Sequence, residues 1–190
     1  MRPEPLASSQ ARPLLGAEDI QPLLWRLSRE LQERHPQGGV VLCGIVTRGV
    51  FLAARLLALV QRGPAAGWAG ARLDCGPYRD DGARPPDPAT FPLPQAGPAE
   101  VEGRPVVLVD DVLFHGRTAR AALAALAALG RPRAVELLVL VDRGHRELPL
   151  RATYVGRNLP TAPHQRVGVL LRECDGEDAV VLQDGEANWA

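Results

Sequence analysis

Leu23, Leu24, Leu27 and Leu31 recur at the three- and four-residue intervals that place side chains on one face of a helix. They predict an amphipathic helix over residues 19–34, with Asp19 as its N-cap and Pro22 in its first turn. After the turn signal Gln37-Gly38-Gly39, residues 40–46 form an unbroken apolar run that reads as a buried strand. Thr47-Arg48-Gly49 interrupts it, and a helix rich in Ala and Leu is expected from Phe51 to about Gln61. A short strand is expected near residues 72–74. A second buried strand falls at residues 105–109, a loop at 110–117 and a helix at 118–129 that Gly130 and Pro132 close. Residues 134–141 repeat the buried-strand signature, and 153–155 and 166–172 read as late strands.

Strands alternating with helices predict an α/β fold whose central sheet is mainly parallel and covered by helices on both faces. Residues 1–17, rich in Pro, Ser and Ala, read as an N-terminal arm with little tendency to order. Residues 18–190 then form a single domain. Residues 76–98 are dense in Pro, Gly, Asp and Arg, and so long a stretch without periodicity inside a domain predicts a mobile lid or an inserted loop.

Charge narrows the function classes. The 22 basic and 22 acidic residues cancel to a formal net charge of +0, so no broad electrostatic footprint for nucleic acid is evident, although a local patch is compatible with that balance. Every basic side chain other than histidine is Arg, which removes Schiff-base and P-loop lysine chemistry. The three cysteines, Cys43, Cys75 and Cys174, are widely spaced and suggest neither a disulfide framework nor a zinc site. No apolar run is long enough to span a membrane, and a cytoplasmic protein is expected.

The most informative chemistry lies in Val106-Val107-Leu108-Val109-Asp110-Asp111-Val112-Leu113-Phe114-His115-Gly116-Arg117-Thr118. A buried strand carries two adjacent carboxylates to the C-terminal edge of the sheet, where open parallel sheets bind ligands. The glycine-containing turn then feeds a helix, whose first amides and dipole suit a phosphate. Ionised carboxylates accept hydrogen bonds from vicinal hydroxyls. Acid pair and phosphate cradle together describe a site for ribose 5-phosphate. A Walker B strand is the competing reading, but Val50-Phe51 stands where a Walker A loop needs Lys-Ser/Thr. A pair of acids that only caps the following helix is the other alternative.

The run from Asp110 to Thr118 resembles the phosphoribosyl-pyrophosphate signature of type I phosphoribosyltransferases. Further segments resemble the bifunctional pyrimidine-operon regulator and uracil phosphoribosyltransferase family: 44–50 (GIVTRGV), 78–81 (YRDD), 141–149 (VDRGHRELP), 154–160 (YVGRNLP) and 175–178 (DGED). The resemblance implies the type I phosphoribosyltransferase fold and transfer of phosphoribosyl from phosphoribosyl pyrophosphate to uracil, giving UMP. It implies that Asp110 and Asp111 hold the ribose hydroxyls, and that Phe114, His115, Gly116, Arg117 and Thr118 wrap the 5-phosphate. Thr47, Arg48 and Gly49 match the pyrophosphate loop, and Arg79 a lid arginine that closes over the leaving group. Tyr154 and Val155 match a segment that packs on the base. Mg²⁺ is implied, held mainly through pyrophosphate, hydroxyls and water.

The same resemblance implies regulation through a leader mRNA, bound when UMP or UTP is present, by a face to which Arg26, Arg29, His145, Arg146 and Arg151 belong. It also implies a homodimer or a higher homo-oligomer. This chain departs from the family in carrying Phe114 and His115 where Tyr and Thr are usual, Cys75-Gly76-Pro77 before the lid, and Trp25 in place of a small polar residue. A phosphoribosyltransferase for another base, a uridine-nucleotide-sensing RNA attenuator without catalysis, and a nucleotide sensor without an RNA partner remain the alternative functions.

Overall fold

The computed structural model of the protein describes residues 11–79 and 90–184. Its centre is a five-stranded parallel sheet in the order β3-β2-β4-β5-β6. These strands are β2 (Val41–Ile45), β3 (Ala69–Leu73), β4 (Pro105–Leu113), β5 (Ala134–Asp142) and β6 (Tyr154–Asn158). A second, antiparallel sheet of three strands forms a hood in the order β1-β8-β7, from β1 (Arg12–Leu15), β7 (Gln165–Leu170) and β8 (Ala179–Asp184).

The central strands are buried because both faces are covered, as their continuous apolar runs require. On one face Leu42, Val107, Val109, Leu138 and Leu140 pack against helices α1 (Ala17–Arg34) and α2 (Arg48–Val60), a core that extends to Val169 and Val180 of the hood. On the other, Val41, Cys43, Ile45, Val106, Leu108 and Val139 meet the alanine-rich face of α4 (Arg117–Leu129). Alternate strand residues go to opposite faces, as period-two geometry dictates. Each fully buried Leu, Ile or Val stabilises the fold by roughly 1.5–3 kcal/mol. The short helices α3 (Pro98–Val101) and α5 (Arg172–Asp175) complete the described elements, together with a 3₁₀ turn at Gly76–Tyr78.

Several elements differ from expectation, each for a local reason. Helix α1 begins at Ala17 with Gly16 as N-cap; Asp19 lies inside it and its Oδ2 accepts from the Gly16 amide at 3.0 Å. Helix α2 begins at Arg48, so Arg48 and Gly49 are its first turn and not a preceding loop. Strand β4 continues through Asp110 and Asp111 to Leu113, pairing with β5 as far as Asp142. Residues 12–15, expected in the arm, add an edge strand to the hood through β8. Of the expected lid, residues 80–89 lie outside the described residues, as do residues 1–10 of the arm, while Gln95, within the expected lid, pairs with Arg72 in an isolated bridge.

Tyr154 is a core residue. It is 4% exposed, and its hydroxyl donates to Glu136 Oε2 at 2.6 Å, where His35 also binds and Arg34 holds Oε1. Burial would push the Glu136 carboxyl up, but the hydrogen bonds from Tyr154, His35 and Arg34 outweigh it and hold the group below its ordinary value. This cluster fastens the C-terminal end of α1 to β5 and β6.

Candidate active site

The chain runs from β2 through α2 to β3 on one side, then returns to β4 on the other side of β2. Such a switch in strand order opens a crevice at the C-terminal ends of the two strands, the usual ligand site of open parallel sheets. Val109 pairs in register with Gly44, so Asp110 and Asp111 emerge beside the end of β2 and the loop Val46-Thr47-Arg48.

Two helices begin at this crevice, α2 and α4, and neither has an acidic residue in its first turn. Helix α1, by contrast, carries Glu18 and Asp19 there. The positive ends of α2 and α4 therefore have no carboxylate of their own to offset them, which favours anions at both. Gly116 caps α4 with φ 93°, a left-handed conformation that a side chain disfavours. Among the described residues, the amides of His115, Gly116 and Thr118 have no protein acceptor. The Thr47 hydroxyl makes no capping hydrogen bond. At Gly49, a Cβ atom would lie 2.2 Å from the Val109 carbonyl oxygen, so only glycine lets α2 start this close to β4.

Asp110 is 9% exposed. Burial, and then the neighbouring Asp111 carboxylate, push its pKa well above the ordinary carboxylate value, while Arg79 opposes them. Its Oδ1 accepts from the Asp111 amide at 3.0 Å, and Asp111 Oδ1 accepts from the Val112 amide at 2.9 Å. These bonds orient both carboxylates yet leave acceptor capacity for sugar hydroxyls.

Arginines border the acids. Arg48 holds Asp175 with Nε at 3.2 Å and Nη2 at 2.8 Å. Burial pulls the Arg48 pKa down, but its bond to Asp175, with the charges of Asp175 and Asp111, raises it overall. Arg79 Nη1 lies 3.3 Å from Thr118 Oγ1, which puts this lid arginine at the phosphate loop in this structure. Arg117 pairs with Glu147 at 2.7 Å, and His115 Nδ1 lies 3.3 Å from the same carboxylate. Glu147 thus faces the loop expected to take a phosphate. Phe114 is sandwiched: His115 stacks at 3.5 Å between centroids, and the Arg143 guanidinium sits 3.8 Å from its ring centre. Its contribution to the loop is backbone and support.

The expected base-contacting and RNA-contacting residues are placed differently. The Tyr154 side chain points into the core, so it does not reach the crevice, and the Val155 carbonyl accepts from Arg26 Nη2 at 3.0 Å. Arg26 also binds the Gly156 carbonyl and Glu30, closing the free edge of β6. Arg29 donates to Gln32, and His145 Nε2 lies 2.5 Å from the Thr161 carbonyl. Arg146 points inward: it donates to the carbonyls of Leu113, Phe114, Gly144 and Leu150 and pairs with Asp142. It is a brace behind the phosphate loop, a role that buried carbonyls demand and residue spacing does not reveal. Arg151 is exposed. Asp175, Glu147 and Arg143 were not singled out by sequence, although the runs 141–149 and 175–178 contain them.

Comparison with known proteins agrees with this geometry. The family model described as phosphoribosyl transferase domain matches residues 16–171. A bifunctional protein PyrR of Leifsonia xyli is 51% identical over 183 residues, covering 93% of this chain and 98% of that protein. The protein of the same name from Streptomyces coelicolor is 52% identical over 174 residues, covering 91% and 90%. Among solved structures, a hypoxanthine phosphoribosyltransferase of Trypanosoma cruzi superposes with a TM-score of 0.68 at 18% identity, covering 92% of this chain and 97% of that one. A hypoxanthine phosphoribosyltransferase of Staphylococcus aureus gives a TM-score of 0.66 at 19% identity, covering 93% and 94%. Those two likenesses concern the fold. A crevice with paired acids, two acid-free helix starts and this ancestry place the chain in the type I phosphoribosyltransferase family, within the group of bifunctional PyrR proteins.

Proposed function

We propose that the protein transfers the phosphoribosyl group of phosphoribosyl pyrophosphate to uracil, releasing pyrophosphate and forming UMP. The observation that carries this reading is the crevice at the strand-order switch, where Asp110 and Asp111 stand between two helix starts that have no acidic residue in their own first turns. One start, at Gly116, suits the 5-phosphate; the other, at Thr47 and Arg48, suits the pyrophosphate; the acids between them suit the ribose hydroxyls.

Catalysis then follows from charge. As the bond from C1 to pyrophosphate stretches, positive charge grows on the ribose ring and negative charge on the leaving group. Arg48 exchanges its Asp175 partner for pyrophosphate, and Arg79 swings from Thr118 to meet it. Holding base and sugar in line removes much of the entropic barrier. Keeping water from the crevice limits hydrolysis of the activated sugar. Among the described residues no cluster of three His, Cys, Asp or Glu side chains could hold a metal. Mg²⁺ would enter with its substrate, held mainly through pyrophosphate, hydroxyls and water, and would supply charge neutralisation there. Asp111→Asn should lower UMP formation by at least about 100-fold, by analogy with removal of other groups that stabilise developing charge. Near wild-type turnover by this variant would remove the acids from the reaction.

Regulation of pyrimidine genes through leader mRNA, with UMP or UTP as effectors, belongs to the same reading, as do residues 18–190 as one domain and assembly into a homodimer or higher oligomer. Similarity to the bifunctional PyrR proteins supports it. Arg29 and Arg151 are the better RNA-facing candidates, because Arg26 and Arg146 are committed to backbone carbonyls.

A further inference from the structure

His115 stands where the family usually has Thr, and its ring is set among charges. Nδ1 lies 3.3 Å from Glu147 Oε1, while the other oxygen of that carboxylate takes Arg117 Nη2 at 2.7 Å. The Glu147 amide donates to the His115 carbonyl at 3.1 Å, so backbone and side chain both fix this carboxylate beside the loop. The imidazole stacks on Phe114, whose ring also carries the Arg143 guanidinium. Among the described residues Nε2 of His115 has no hydrogen-bond partner, and the side chain is 25% exposed. One ring nitrogen thus faces a carboxylate and the other is left for a ligand, on a loop whose amides at 115, 116 and 118 are also open.

The charges that face His115 come from several elements. Glu147 favours a proton on the ring, while Arg117 of α4, with Arg143 and His145 after β5, disfavours one. Arg79 reaches Thr118 on the same loop, and Arg146 behind it is paired with Asp142. Burial is the largest influence and, with those cations, outweighs Glu147, so without a ligand the ring titrates below the ordinary histidine value. It is then largely neutral at pH 7.5. A neutral imidazole has one N–H and one bare lone pair. Either Nδ1 donates to Glu147 and Nε2 turns a lone pair to the phosphate, or the reverse holds. Such a ring serves one anion and repels the other. An imidazolium donates from both nitrogens and serves both.

We propose that binding of the 5-phosphate draws one proton from solvent onto His115, and that the imidazolium so formed bridges the phosphate and Glu147. This rests on the reading of residues 115–118 as the phosphate loop and adds to it a dependence on pH. The sign follows from linkage. The ring titrates at a lower value in the free protein and at a higher one beside the phosphate. Affinity is therefore highest below the lower value. It falls by up to about tenfold per pH unit between the two, and levels off above the higher. A phosphate monoester loses its second proton at about pH 6, so the ligand's own titration enters only near and below that pH. Threonine at this position has a hydroxyl that donates at any of these pH values and takes up no proton.

The test is calorimetric titration with ribose 5-phosphate at pH 7.5 in buffers of different ionisation enthalpy, which counts the protons taken up. Wild type should take up more than about half a proton per phosphate bound, and its affinity should fall at least about threefold from pH 7 to pH 8. His115→Thr should take up none, and the ratio of the two affinities, from which the ligand's own titration cancels, should show the same fall. His115→Gln should also take up none, and decides the matter if the Thr variant does not fold. Glu147→Gln removes the second anion, lets a neutral ring serve the phosphate alone, and should cut the uptake by at least about half. No uptake by wild type, or equal uptake by the His115 variants, would overturn the proposal, and unchanged uptake in Glu147→Gln would remove the bridge from it. Phosphate binding without proton uptake leaves the transfer reading standing. Uptake as expected in a protein that forms no UMP would sink the transfer reading alone.

Discussion

Asp110 shows how function sets a residue against stability. Its carboxyl is buried beside a second carboxylate, and its pKa in the folded protein lies well above the value it has in the unfolded chain. The folded state therefore binds the proton more tightly. This group's contribution to stability is fully present at acid pH, below the unfolded pKa, and is lost as pH rises through the raised folded pKa. Asp110→Asn removes that loss and keeps an oxygen to accept from the Asp111 amide. The variant should melt a few degrees higher than wild type at pH 8, about what 1 kcal/mol gives a domain of this size, with the difference vanishing near pH 3. Its activity should fall steeply. Calorimetry across pH checks this; an Asn variant less stable than wild type at pH 8 would show that the acid pair is not strained. The acids themselves were legible in the sequence, because two adjacent carboxylates after a run of Val and Leu are costly unless used. The inward roles of Arg146 and Arg143 were not, since a loop arginine looks the same on paper whether it meets solvent or carbonyls.

Among the elements, the junction of α2 with the hood decides how the crevice is held. Arg55, on α2, pairs with Glu173 at 2.5 Å and with the buried Asp178 at 2.7 Å. Its hydrogen bonds are the main cause of the lowered pKa of both acids. Two turns earlier, Arg48 holds Asp175. A single helix thus grips α5 at two points and keeps the hood over the site. Arg55→Leu would leave the buried Asp178 carboxylate without its ion-pair partner, with only the Arg172 amide still donating to it, at a cost of about 3–5 kcal/mol. Hydrogen exchange should then quicken in β7 and β8 while β2 and β4 stay protected; unchanged protection of the hood would contradict the clamp. Central strands and long helices were readable because burial on both sides leaves unbroken apolar runs and helical spacing. Strands β1 and β8 were not, because each is short and depends on partners distant in sequence. Strand β4 outran its expected end because pairing with β5 carries it past the acids, where composition alone reads as loop.

At the level of the protein, one geometry links the parts: an acid pair at a strand-order switch, two helix starts that attract anions, and a hood bolted above them. The fold class and the sugar-phosphate half of the site were legible in the sequence, because strand, acids, glycine and helix follow one another within a single run of residues. The base half was not: Tyr154, which matches the base segment, is held in the core by Glu136, a partner distant in sequence.

The most direct measurement is pyrophosphate release from phosphoribosyl pyrophosphate with uracil, hypoxanthine, guanine and orotate compared side by side under identical conditions. Uracil should support rapid release and accumulation of UMP, with the other three at least about 100-fold slower, the discrimination expected when buried polar groups are left unpaired by the wrong base. Equal rates with a purine, or no release with any base, would contradict it.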